Sequence, residues 1–177
     1  MNMNFYARRF NLYLLAICVA LTGGCASHKK KPEKAAGIRI HVESPVTLPE
    51  KYRTINVLRS QPVSVTIVED PALTEANLLG AKLIETPGGF AVRVQFDETG
   101  TWMLEQATAG NPGKHLAVFG KWGEKIADGR WLAAPLITRR IADGMLTFTP
   151  DASREETENF VEGLNATAKL IHSGPVQ

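Results

Sequence analysis

Cysteine is almost missing from this chain. Its 177 residues hold two, Cys18 and Cys25. Cys18 lies in an apolar stretch that reads as part of a removable leader. A mature chain with Cys25 alone can form neither an internal disulfide nor a cysteine-based metal site. A net charge of one sign is missing too. Cutting away residues 1–24 removes Arg8 and Arg9 and no acid, which leaves 18 Lys and Arg against 18 Asp and Glu. A nucleic-acid partner recruited by a basic field is therefore not expected. Long hydrophobic runs are also absent. The most apolar stretch, residues 10–22 (FNLYLLAICVALT), falls short of the roughly 20 residues a membrane-spanning helix needs. Catalytic signatures are missing as well. The four histidines (28, 41, 115 and 172) share no ligand spacing, and there is no HExxH and no G-x-S-x-G. "GNPGKH" has the wrong residues for a phosphate loop, with Thr108 and His115 where Gly and Ser or Thr belong. No cofactor, metal or enzymatic activity is expected.

What is present at the N-terminus gives an address. Arg8 and Arg9 precede the short apolar run, and small residues follow it. That is the layout of a bacterial secretory signal. The stretch "LTGGC" resembles a lipobox, in which the chain is cut before a cysteine that carries a diacylglyceryl group. The expectation is a lipoprotein signal peptide over 1–24 and lipidation of Cys25. Acyl chains contribute about 0.8 kcal/mol per buried CH₂ and would hold the protein to a membrane. In the bacterial lipoproteins that this signal resembles, a residue other than Asp after the cysteine goes with outer-membrane sorting, so the resemblance implies, through Ala26, the outer membrane rather than the inner, within a periplasm-facing cell envelope. Residues 25–37 (CASHKKKPEKAAG) are polar and unpatterned and read as a tether.

The remainder, 38–172, has the length of a single domain. Residues 38–44 alternate apolar and polar, as do 62–69, which predicts two half-buried strands. A short helical segment is expected around 74–79. "TPGG" between 81–86 and 89–96 predicts a hairpin. Asp97 should cap a helix over 98–109, with Trp102 in the core. Strands are expected over 114–119 and 144–149, separated by a long connection over 120–137. Ser153 and Glu156 form a capping-box pattern ahead of a last helix. Its apolar face comprises Phe160, Val161, Leu164, Ala168 and Ile171. The result is an α+β fold, a largely antiparallel sheet with two main helices packed on one face. The carboxylate pairs Asp97/Glu98 and Glu155/Glu156 suit helix starts better than acid–base catalysis. Trp122, Arg130 and Trp131 lie in the 120–137 connection and are candidate partner-binding residues, because Trp and Arg often anchor interfaces.

At "GFAVRVQFDETGTWMLEQATAGNPGKHLAVFGKW", "RWLAAPLI" and "DGMLTFTPDASREETENFVEGLN" the chain resembles the head subdomain of the first periplasmic domain of SecD. SecD and SecF form the membrane complex that assists protein export. Gly100 matches the family's helix-start glycine. Gly113, Lys114, Leu116 and Ala117 match a strand opening, and Ala134, Pro135 and Ile137 the next element. Gly144, Phe148, Thr149, Glu155 and Glu156 match the last. The resemblance implies a head that contacts an envelope protein or an exported polypeptide. No transmembrane helix is expected after the domain, so SecD's proton-coupled work is not implied. The alternatives are a small envelope enzyme with a site dispersed in sequence, or a structural lipoprotein.

Overall fold

Alternating apolar residues build most of the strands. In a computed structural model, which describes residues 35–44, 51–58, 62–123 and 129–173, β1 (Gly37–Val42) buries Ile38 and Ile40 on one face and His41 on the other. It lies antiparallel between β4 (Leu73–Thr74) and β7 (Leu116–Lys121), and β8 (Gly129–Ala133) flanks β7, giving the order β4-β1-β7-β8. β5 (Leu78–Thr86) and β6 (Gly89–Phe96) form the expected hairpin, and β9 (Met145–Phe148) pairs with β6. A third pair, β2 (Tyr52–Val57) with β3 (Val63–Val68), forms a separate two-stranded sheet. Every pairing is antiparallel. All described residues belong to one unit of the chain, Glu33–Gln177.

The fold class is α+β with mostly antiparallel strands and two helices, and the strands divide among three sheets. That division follows from which faces are apolar. Ile38, Ile40, Leu116, Val118 and Leu132 join Phe160 and Leu164 in the main core. A separate cluster forms where Ile55, Val57, Val65 and Ile67 of the β2–β3 pair meet Ala117. The β1–β7 ladder is thus covered on both sides.

Helix α1 (Glu98–Ala109) starts as expected, with Asp97 Oδ1 accepting from Gly100 N at 2.6 Å. Its buried face is Gly100, Leu104 and Thr108, one residue every four. Trp102 sits half a turn away and is 62% exposed, which corrects its expected place in the core. The buried Thr108 hydroxyl donates to Leu104 O and accepts from Ile141 N, so its burial leaves no unpaired group. Gly100 is required by close approach, because a Cβ there would meet Asn77 Cβ at 2.8 Å and Phe96 Cβ at 2.9 Å. Gly144 is required by its backbone, with φ +67.

Helix α2 (Arg154–His172) has the full capping box between Ser153 and Glu156. Phe160, Leu164 and Ala168 are buried, and Val161 is partly buried. Ile171, placed by its spacing on the same stripe, is 40% exposed, since it lies just past the last core residue of the stripe, Ala168. The helix runs along β5 and covers its outer edge. Arg154 holds Glu85 with two bonds of 2.8 Å. The Asn165 amide bonds both N and O of Ala81 at 2.9 Å, as a neighbouring strand would. The His172 ring meets Leu78 O at 2.9 Å. Side chains thus occupy an edge that would otherwise be open to pairing.

Three further expectations need correction. The helical segment near 74–79 is a three-residue 3-10 turn, Glu75–Asn77, and β5 begins at once after it. The long connection over 120–137 contains β8. β2, for which no strand was expected, is a strand whose buried Ile55 and Val57 alternate with exposed residues.

Candidate functional site

Cys25 lies outside the described residues, as do residues 124–128 between the two loop tryptophans. Trp122, Arg130 and Trp131 are described, and they do not form one surface. Trp131 is on β8. Its ring makes edge contacts with Phe119 (5.2 Å) and His41 (5.3 Å), and Arg53 lies over it at 6.0 Å. This places it against the β2–β3 cluster. Burial holds the His41 ring below its ordinary pKa, partly opposed by the bond it makes to Val68 O.

Trp122 and Arg130 point the other way, toward α2. Trp122 packs on Phe160 with ring centroids 5.2 Å apart, and the Arg130 guanidinium lies 5.0 Å over the Trp122 ring. Arg130 also pairs with Glu156 at 3.0 Å and donates to Asp151 O at 3.3 Å. The Arg130 bond is the main reason the Glu156 carboxyl is held down to about 2, and the Ser153 backbone N–H adds to it. Arg130 is thus engaged as a tie between β8 and the start of α2.

A carboxylate–imidazole pair exists elsewhere. Glu43 Oε2 accepts from His115 N at 2.8 Å and meets His115 Nδ1 at 2.6 Å, while Glu43 N donates to His115 O at 2.9 Å. Partial burial pushes the Glu43 carboxyl up, but these bonds outweigh it and the net shift is downward. The pair clamps the ends of β1 and β7. Among the described residues no three His, Cys, Asp or Glu side chains gather as metal ligands, and no helix is long and apolar enough to cross a membrane.

A groove of about 710 Å³ lies between the end of β8 and β9. β8 and β9 are each the terminal strand of their sheet. The groove is bridged where Asp151 N donates to Leu132 O at 2.7 Å. Ala134 and Pro135 form one wall, and Phe148 and Thr149 the other. Leu58 closes it from β2, with an unusual φ of +69. A leucine in the left-handed region costs about 1–2 kcal/mol, and such strain clusters at ligand clamps. The walls coincide with "AP" at 134–135 and "FT" at 148–149, short motifs far apart in sequence. Sequence reasoning had those motifs but no sign that they meet, and Leu58 carried no signal at all.

The family model described as SecDF, P1 head subdomain, matches residues 51–169. Two solved structures are similar. One is of SecDF, described as a membrane component that enhances protein export. It superposes with a TM-score of 0.52 at 20% identity, covering 76% of this chain and 64% of that one. The other is SecDF in a super-membrane-facing form, with a TM-score of 0.53, 20% identity, and coverage of 76% of this chain and 19% of that one. This chain therefore spans less than two thirds of the first and about a fifth of the second. At that identity the likeness establishes the fold. A comparison with curated proteins found no match.

Proposed function

Because the chain belongs to the SecDF P1 head subdomain family, we propose that it is a non-catalytic head that binds extended polypeptide in the groove between β8 and β9 and assists protein export. Lipid on Cys25 holds it to a bacterial envelope membrane, facing the periplasm, with the outer membrane favoured. The single observation that carries this reading is the groove itself, where the short motifs shared with the family converge on an apolar channel between two terminal strands. A polypeptide added beside a strand bonds through its main chain, so affinity depends little on its sequence. Exported chains vary in sequence, and this mode of recognition suits them. The apolar walls supply contact area for alternate side chains. Among the described residues, the groove holds one carboxylate, on Asp151, which fits binding better than hydrolysis.

The test fills the groove from an exposed position. Thr149→Trp should leave the unfolding midpoint unchanged and weaken binding of a fluorescein-labelled, permanently unfolded polypeptide at least ten-fold by anisotropy. Equal binding by the wild type and this variant refutes the groove. Labelled palmitate should enter the wild type in cells and not Cys25→Ser, and equal labelling refutes the anchor.

A further inference from the structure

The outer face of the β5-β6-β9 sheet carries a pair of like charges in direct opposition. The hairpin register sets Lys82 opposite Arg93, and both line a depression of about 250 Å³ with Gln95, Met145 and Asn165. Side chains directly opposite on one face of an antiparallel pair are close neighbours, and like charges there repel. Among the described residues, no acid lines the depression. Two acids on or beside these strands have partners of their own. Glu85 is held in the Arg154 fork, and Asp143 Oδ1 accepts from Met145 N at 3.1 Å. Gln95 spends its amide nitrogen on Phe96 O and Asp143 O.

Arg93 is oriented without being consumed. Its Nε donates to Thr147 Oγ1 at 3.2 Å, which fixes the plane of the guanidinium and leaves both terminal nitrogens without an acceptor among the described residues. Among the described residues, the Lys82 side chain has no hydrogen-bond or ion-pair partner. We propose that Lys82 and Arg93 form a site for a phosphate group, with the Arg93 fork taking two oxygens and the Lys82 ammonium a third. An anion of that class turns the repulsion between the two cations into charge-assisted bonds, the stronger kind of hydrogen bond. A planar fork beside a point charge matches a phosphate, which offers several oxygens. The group arrives either as free phosphate or as the headgroup of an anionic phospholipid. The site lies on the sheet face away from the core and does not depend on the polypeptide groove being correct.

The experiment uses the full chain and two probes. Inorganic phosphate is titrated against thermal unfolding at constant ionic strength with chloride as reference. Vesicles of phosphatidylcholine, with or without phosphatidylglycerol, are tested by flotation. Binding through a lipid anchor contributes equally to both vesicle types, so it cancels in the comparison. Lys82→Gln and Arg93→Gln should each weaken phosphate binding about ten-fold or more, as expected for loss of a bond to a charged group. The exposed Arg139→Gln is the control for net charge. A response to phosphate identifies the free ion, a preference for phosphatidylglycerol alone identifies the lipid headgroup, and either one lost in the Lys82 and Arg93 variants supports the site. No response to either probe overturns it, and so does an equal loss in Arg139→Gln, which would reveal a diffuse field.

Discussion

Glu156 performs two tasks with one carboxylate, and replacing it by Gln separates them. One oxygen accepts from Ser153 N at 2.8 Å and closes the cap of α2. The other pairs with Arg130 at 3.0 Å and ties the helix start to β8. Glutamine keeps an oxygen for the cap and loses the charge. The carboxyl is lowered from 4.5 to about 2, first by Arg130 and then by the Ser153 N–H. A depression of that size corresponds to about 3 kcal/mol between its two protonation states. The side chain is 37% exposed, and solvent screening cuts this to about 1–1.5 kcal/mol. Arg130 argues for the upper part of that range, because its Nε is already buried without a partner and losing Glu156 removes its countercharge. The expected shift in urea midpoint at pH 7 is about 0.5–1 M, read from tryptophan fluorescence. The pH dependence has a definite sign. Between about 4.5 and about 2 the unfolded carboxyl takes up a proton while the folded one stays ionised. The folded state binds fewer protons there, so this stabilisation is complete above about 4.5 and disappears as the pH falls to about 2. The gap between wild type and Glu156→Gln should close across that window. A gap that stays constant from pH 7 to pH 2 would refute the ion-pair assignment.

Two further outcomes test the core. Leu164→Ala, at a fully buried position, should cost about 2–5 kcal/mol, and the exposed Glu162→Ala under about 0.5 kcal/mol; comparable urea midpoints for the two would mean that the buried face of α2 is misassigned. Gly100→Ala should lose about 1–2 kcal/mol, because its new methyl meets two Cβ atoms near the backbone rather than flexible tips; a variant as stable as wild type would show that Asn77 and Phe96 give way.

Whatever a few neighbouring residues decide was legible in the sequence. The Asp97 cap, the Ser153–Glu156 box and the hairpin after Thr86 need only local chemistry, and all three are present. β8 was hidden because its sheet is covered on both sides. Leu132 joins the core against α2, and Trp131 packs toward the β2–β3 pair. With both faces occupied, GRWLA shows no alternation, and its glycine and tryptophan read as a loop. Trp102 misled for the opposite reason. The buried face of α1 is made of Gly100, Leu104 and Thr108, two of which are small or polar, so the most apolar residue marked the wrong side.

The candidate sites differ in how far a sequence can reveal them. Lys82 and Arg93 follow from local chemistry: a two-residue turn at Pro87–Gly88 pairs Thr86 with Gly89 and, counting back four, sets the two cations face to face. That conclusion needs only the hairpin, and it was within reach once "TPGG" had been read as a turn. The groove needs the whole fold. Ala134–Pro135 and Phe148–Thr149 are separated by a strand order that no local pattern encodes, and they meet where the ends of β8 and β9, each terminal in its own sheet, line one groove. Arg130 shows what the distinction means for function. In the sequence it looked like a free interface anchor beside two tryptophans. In the fold its charge is matched by Glu156 and its plane by Trp122. A partner that recruited Arg130 would have to break a tie that holds the start of α2. The groove asks no such cost, since its terminal strands and apolar walls can take a ligand while these contacts stay in place.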